Sequence, residues 1–303
     1  MPKYPTVYVI LLNWNNSEET LECLDSLAHV PYASMQVVVV DNGSEARSRE
    51  ALEQGLKRIK MPVVFLPNEK NLGFSGGNNV GIRYALLRKA DFVMLLNNDT
   101  RVDPDFLQFL VDAAKAHPDG GFFSPRIYYY DKPGSIWFGG GKIAWLHVSR
   151  VGEHEEREEK KEPYETGFLS GCALFMRREA LEQVGDMDER FFLYFEDIDM
   201  SIRAQKAGWK TMVVPSSRIL HKVSHTTLPR LGSARLLYYH HRNGLLLAKK
   251  HASPLINLYK HFWALAKIGK QSMKYTMGND KEIARAILKG IADYYQGTFG
   301  NMS

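Results

Sequence analysis

Four short apolar, largely β-branched runs dominate the first hundred residues: Val7–Leu12, Val37–Val40, Val63–Leu66 and Phe92–Leu96. Runs this short and this uniformly apolar have no face to give to water, so each reads as a strand buried on both sides. Between them Ser17–Ala28, Glu45–Lys60 and Asn78–Arg88 carry helical periodicity and good helix formers. Ser17 ahead of Glu18 and Glu19, and Ser44 ahead of an acidic turn, supply helix starts. Strand and helix in alternation predict an α/β fold, a mostly parallel, doubly wound sheet with helices on both faces.

The residues at the end of each run point to a site. The tips are Asn13-Trp14-Asn15-Asn16, Asp41-Asn42-Gly43-Ser44, Pro67-Asn68-Glu69-Lys70-Asn71 and Asn97-Asn98-Asp99-Thr100, all polar. In an open parallel sheet such tips share one edge, and ligands bind in the crevice beyond it. Asn, Asp and Gly also make ordinary turns and caps, which explains any one tip taken alone. Gly73, Gly76 and Gly77 precede a helix and could offer backbone N–H groups to an anion. Their spacing is neither GxGxxG nor a P-loop, so neither a dinucleotide fold nor an NTPase is supported.

The second half changes character. Gly134–Trp145 is rich in glycine and aromatics, and Glu153–Glu162 is a charge run that reads as a solvated loop, with a lid as the alternative. Ser170–Met176 reads as a buried strand and Arg178–Val184 as a short helix. An aromatic run, Phe191-Phe192-Leu193-Tyr194-Phe195, then leads directly into Glu196-Asp197. With Ile198, Ile202 and Gln205 at helical spacing, the two acids fall in a first helical turn. They are either compensation for the helix dipole or a general base backed by apolar walls. Farther on, Val213-Val214-Pro215 reads as a strand, and His221 is either a packed residue or a ligand to metal or phosphate.

Charge is divided unevenly. Residues 232–303 hold 11 Lys/Arg against 3 Asp/Glu, whereas residues 1–231 hold 28 against 31. The basic stretch alternates cations with large apolar residues, as in Leu255–Lys267, and predicts amphipathic helices that pack on their own domain or on anionic lipid. No zinc-finger, RNP or Walker-type signature accompanies it, which sets nucleic acid aside. Cys23 and Cys172 stand far apart, too few for a disulfide framework, and fit a reducing compartment. No run reaches the roughly 18–20 apolar residues of a membrane span, and Met1–Pro5 lacks the apolar core of a signal peptide. The expected location is cytoplasmic, peripheral at the inner face of the cell membrane where the tail meets lipid.

Taken in order, Leu12-Asn13-Trp14-Asn15, Val40-Asp41-Asn42-Gly43-Ser44, Asn71-Leu72-Gly73-Phe74, Leu96-Asn97-Asn98-Asp99, Glu196-Asp197 and His221 resemble glycosyltransferase family 2. The rhamnosyltransferase-like branch is most similar, and the likeness extends from Val7 to His251, including Tyr238-Tyr239-His240-His241-Arg242-Asn243. The resemblance implies a GT-A fold over residues 1–231, with a nucleotide-binding half to residue 100 and an acceptor and catalytic half to residue 231, then a helical extension over 232–303. It implies an inverting transfer from a dTDP- or UDP-sugar, possible donors including dTDP-rhamnose, to a saccharide or polyprenyl-linked acceptor in cell-surface polysaccharide synthesis. It also implies a divalent cation, Mg or Mn.

By position, Asn13, Trp14 and Asn15 match a loop contacting the donor nucleotide, and Asp41 an acid that hydrogen-bonds its base. Asn71 and Gly73 match a loop lining nucleotide and phosphates, with Asn97 and Asn98 on the same side. Asp99 matches the metal-binding end of Asp-x-Asp, and His221 a histidine that completes the metal shell. Glu196-Asp197 matches the catalytic pair, with Asp197 as base. Asn97 replaces the first acid of Asp-x-Asp, so the protein offers the cation less negative charge. Two rivals are a sugar nucleotidyltransferase, disfavoured because strand one ends in Asn-Trp-Asn rather than a basic glycine-rich loop, and a binding module without a base.

Overall fold

The computed structural model describes residues 4–146, 148–152, 161–223, 227–278 and 280–302, with backbone alone at 227–231. Most of the charge run, residues 153–160, therefore lies outside the described residues. The predicted alternation is observed as β1 (Val7–Asn13), α1 (Ser17–Leu27), β2 (Met35–Asp41), α2 (Ala46–Leu56), β3 (Val63–Pro67), α3 (Gly73–Leu87) and β4 (Phe92–Asn97). β1 pairs in parallel with β2 and β4, and β2 with β3. The order β3-β2-β1-β4 thus reverses between β1 and β4. A reversal of this kind opens a crevice at the carboxyl edge, because the connections leaving the two strands depart to opposite faces.

Burial explains why these runs are strands: Val37–Val40 and Val93–Leu96 are at most 2% exposed. β3 is the exception, half-buried where complete burial was expected, because it forms the end of the sheet. A second difference concerns α3, which begins at Gly73 rather than after the glycines. The reason is close packing. A Cβ on Gly77 would lie 2.5 Å from Leu12 Cδ1, and one on Gly81 2.5 Å from Ile10 Cγ2, so small residues let α3 settle onto β1.

The next elements are β5 (Thr100–Val102), α4 (Phe106–Ala116), β6 (Gly120–Tyr129), β7 (Ile136–Phe138), β8 (Lys142–Ala144), β9 (Ser149–Val151), β10 (Tyr164–Glu165) and β11 (Ala173–Arg177). After them come α5 (Arg178–Val184), α6 (Glu196–Lys206) and β12 (Lys210–His221). Here the sheet becomes mixed: β11 runs antiparallel to both β4 and β6, whereas β12 is parallel to β6. Two pairings position the site. β11 brings Ala173 beside Leu96, and β12 brings His221 opposite Thr100.

The chain continues in α7 (Thr227–His251), broken at Gly232 (φ 72°), then α8 (Pro254–Thr276) and α9 (Lys281–Gln296). α7 packs on the α/β body, burying Tyr238, Tyr239 and Leu245–Ala248. Its end is fastened to α6, where Asp199 receives Lys250 at 2.5 Å and His251 at 2.7 Å. α8 differs: Leu255, Leu258, Phe262 and Leu265 are 56–80% exposed on its outer side. Among the described residues no helix is long and apolar enough to cross a membrane.

Candidate active site

A cleft opens where the sheet order reverses, lined by Leu12, Trp14, Asn42, Asn71, Gly73, Phe74, Asn97, Asn98, Asp99, Phe192 and Leu193. Apolar walls with an amide rim suit a ligand that combines a flat ring with polar edges. Of the expected nucleotide contacts, Trp14, Asn71, Gly73, Asn97 and Asn98 line this cleft. Asn15 stands beside it, in a shallow depression shared with Trp14 and Glu45, where its side chain accepts from Glu45 N–H at 2.7 Å.

Asn13 and Asp41 are different: both are wholly buried. Asn13 donates to Asp41 at 2.8 Å and accepts from Thr20 at 2.9 Å. Asp41 also accepts from Ser44 N–H and from Arg49 Nε at 2.9 Å. With these bonds Asp41 braces the tips of β1 and β2. Asn42, missed as a site residue, does the analogous work at the cleft surface. It accepts from Leu72 N–H and donates to Asn71 Oδ1 and Gly73 O, joining the tip of β2 to the start of α3.

The glycine segment does not cradle an anion. Gly73 N–H is taken by Asn71 Oδ1 at 2.8 Å, and Phe74 and Ser75 N–H both point at the Phe192 carbonyl. Gly73 has φ +78°, and a Cβ there would lie 2.5 Å from that same carbonyl oxygen. Glycine is required because the aromatic run crosses directly over it.

Asp99 and His221 meet at the floor, Oδ1 to Nε2 3.2 Å, both buried. Burial pushes the neighbouring Cys172 thiol up, so it stays neutral near pH 7. Burial works against protonation of His221 and the adjacent Asp99 works for it, with the net direction upward. Since the thiol is neutral, Asp99 is the group able to balance an imidazolium. Gly171 N–H donates to Asp197 at 2.9 Å and the next residue, Cys172, accepts from Asn97 N–H at 2.8 Å, so the two distant acids approach one point of the fold.

Glu196 and Asp197 open α6, as the spacing predicted. Asp197 accepts from Gly171 N–H at 2.9 Å and from its neighbour Ile198 N–H at 2.8 Å. Glu196 is 4% exposed, with Oε2 lacking a hydrogen bond. Burial, then the adjacent Asp197 charge, raises its carboxyl well above the usual range. The pair lines a second pocket with Arg150, Tyr194, Phe195, Leu237 and His240. Arg150, on β9, and His240, on α7, were missed as site residues; only the histidine lay in a segment singled out by sequence.

The approach to the acids is strained. Phe192, Tyr194 and Phe195 have φ of 62°, 70° and 73°, a region costing non-glycine residues about 1–2 kcal/mol each. α7 holds them there. Asn243 Nδ2 donates to the carbonyls of Phe191, Leu193 and Tyr194 at 2.7, 2.7 and 3.1 Å. Arg242, wholly buried, spends its donors on Asn243 Oδ1, Tyr238 Oη and the carbonyls of Gly300, Arg190 and Phe191. Tyr238 in turn donates to Asp293 at 2.6 Å, which links the guanidinium to a carboxylate. A planar guanidinium with its donors directed this way acts as a bracket for loop backbone.

Among the described residues no group of three or more His, Cys, Asp and Glu is arranged to hold a metal ion, so Asp99 and His221 stand as a pair.

Residues 8–185 match the family model described as glycosyl transferase family 2. The match ends before Glu196-Asp197. The chain is 30% identical over 270 residues to an N-acetylglucosaminyl-diphospho-decaprenol L-rhamnosyltransferase of Mycobacterium tuberculosis, covering 80% of this chain and 84% of the relative. It is 25% identical over 262 residues to a dTDP-rhamnosyl transferase of Shigella flexneri, covering 82% of each. Among solved structures, GalNAc-T7 with UDP, GalNAc and Mn2+ shares the fold at a TM-score of 0.61 and 16% identity, covering 86% of this chain and 55% of that one.

Proposed function

This chain belongs to glycosyl transferase family 2 and is a glycosyltransferase, and from that footing we propose that it moves rhamnose from dTDP-rhamnose to a saccharide hydroxyl, with inversion. The acceptor in this reading is carried on a polyprenyl diphosphate, the chemistry named for the mycobacterial relative. The donor nucleotide occupies the cleft of Trp14, Asn71, Gly73, Asn97 and Asn98, and the acceptor enters the pocket beside Asp197.

Transfer forms a bond from the acceptor oxygen to the anomeric carbon and breaks the bond from that carbon to the diphosphate. The proton goes to the Asp197 carboxylate, which two backbone N–H groups hold in orientation. The electron pair leaves with the nucleoside diphosphate. Glu196, whose carboxyl is buried and raised above the usual range, leaves Asp197 as the base of the pair in this reading. One base and no second nucleophile support a single in-line displacement.

Asp99 and His221 fit a divalent cation of the Mg or Mn kind. A buried carboxylate and imidazole converge, Oδ1 to Nε2 3.2 Å, and donor phosphates provide further oxygens. When bound, such an ion neutralises charge on the departing diphosphate. The outer face of α8 and the basic C-terminal region support attachment to an anionic membrane surface, placing the enzyme at the cytoplasmic leaflet.

The observation that supports the reading is that the Gly171-Cys172 segment joins the two acids' elements: Gly171 N–H donates to Asp197 at 2.9 Å, and the Cys172 carbonyl accepts from Asn97 N–H at 2.8 Å, two residues before Asp99. Proton NMR of the product made from dTDP-rhamnose and a synthetic lipid-linked saccharide tests it. An inverted anomeric centre is expected, with turnover reduced by about 10²–10⁴ in Asp197→Asn. Retained configuration, or near-normal turnover in the variant, would contradict it.

A further inference from the structure

Among the described residues Lys260 is a buried cation without a counter-ion. Its side chain is 2% exposed on the inner side of α8. Among the described residues no carboxylate, carbonyl or hydroxyl accompanies the ammonium, which sits 3.9 Å from the centre of the Trp263 ring. Burying a charge without an acceptor is costly, so such a group persists where something compensates it. Burial, reinforced by Lys267, lowers Lys260 to about 8, which leaves it mostly charged at neutral pH. The titratable neighbour across the groove, His241, stacks on Trp263 and is lowered to about 4 chiefly by burial, so it adds no charge of its own.

The ammonium is not sealed in. Lys260 lines a cavity with Trp263 and with Leu237, His240 and Gly244 of α7. Leu237 and His240 also line the pocket of Arg150, Glu196 and Asp197, so the two spaces adjoin across a common wall. On its far side the same helix turns Leu258, Phe262 and Leu265 to solvent. The sequence of environments leading away from Asp197 is therefore a polar pocket, an unbalanced buried cation, and an apolar surface.

We propose that the Lys260 cavity holds the diphosphate of the lipid-linked acceptor, an inference that rests on the function proposed above. A saccharide at Asp197, a diphosphate at Lys260 and a polyprenyl chain along α8 match those three environments in order. The cation would then discriminate acceptors by what carries the sugar, independently of the sugar itself. A phospholipid headgroup is the other source of the same phosphate chemistry.

Steady-state kinetics with two acceptors of identical saccharide decide it, one on an alkyl diphosphate and one on a plain alkyl chain. The ratio of their kcat/KM values in Lys260→Met should fall by about 10- to 100-fold, the range for losing a hydrogen bond to a charged group. Lys260→Arg should keep most of the ratio. An unchanged ratio in Lys260→Met overturns the proposal. So does an unchanged ratio with reduced pelleting on phosphatidylglycerol vesicles, which would assign the cation to the membrane. Titration with farnesyl diphosphate, with dTDP and Mn2+ filling the donor cleft, gives a readout without turnover. About tenfold weaker binding in Lys260→Met supports the site, and equal binding removes it. Failure of the wild type to glycosylate either acceptor would instead count against the proposed function, leaving the titration to judge the cavity. Because methionine removes an unpaired buried charge, its melting temperature should match or exceed wild type; a marked loss would make Lys260 a structural residue.

Discussion

Asn243→Ala separates holding the active site from holding the fold. Asn243 is 0% exposed and supplies three backbone carbonyls, of which Phe191 keeps a second donor in Arg242. The variant thus orphans the carbonyls of Leu193 and Tyr194, at about 1–3 kcal/mol each, or roughly 2–6 kcal/mol together. Against this stands the positive-φ strain at Phe192, Tyr194 and Phe195, about 3–6 kcal/mol in sum. The two terms are equal in size, so a loop released from Asn243 recovers by relaxing what it loses in hydrogen bonds. Stability should fall by only about 1–2 kcal/mol, a few degrees in Tm for a chain this long. The geometry is what disappears, because Phe195 and Glu196 are contiguous with the relaxed segment and Phe192 closes over Gly73. We expect kcat to drop at least tenfold alongside that small shift, measured by nucleoside diphosphate release and by calorimetry. A Tm loss above about 10 °C with normal kcat would refute the reasoning, as would kcat within twofold of wild type at unchanged Tm.

Gly73→Ala should be more damaging than an ordinary helix substitution, by about 2 kcal/mol or more, since the methyl would meet the Phe192 carbonyl at φ +78°; chemical denaturation would show it. Glu196 has a raised pKa, so the fold retains its proton and loses stability as pH rises from the unfolded value of about 4.3. Glu196→Gln removes that penalty, and its Tm advantage over wild type should widen from pH 5 to pH 8; a constant difference would deny the shift. Asp199 and Asp188 are held below the usual carboxylate range, against burial, by His251, Arg203 and Lys250 and by Arg190 and Lys250. Their contribution is complete above about 3.9, the unfolded value, and is lost as pH falls through the folded values. Lys250→Met should therefore lower Tm at pH 7 and lower it less at pH 2–3, where the contribution is only partly retained, as thermal melts would record.

The parallel half of the sheet was legible because β1, β2 and β4 are buried on both faces, which leaves an unmistakable apolar run, and each strand ends in a polar tip at one edge. The Glu196 helix start was equally legible, since two acids precede Ile198 at the spacing a first turn needs. Asp41 shows the limit. An aspartate at a strand tip reads alike whatever it touches, and the bonds it accepts from Asn13, Ser44 and Arg49 appear only in the fold. The glycines of α3 fail as an anion signal for a related reason: what they accommodate is Leu12, Ile10 and Phe192, residues remote in sequence. Arg150 and Lys260 were invisible as site residues because their significance lies in a hairpin and a helix that meet α7 only in the folded chain.

A crystal structure of Asp197→Asn bound to dTDP-rhamnose and Mn2+ examines the shared cleft most directly. The diphosphate should rest against Asp99 and His221, with the anomeric carbon facing residue 197 and open to the Arg150 and His240 pocket. A donor seated with its anomeric carbon turned away from residue 197, or a wall of protein between them, would leave the displacement without its base.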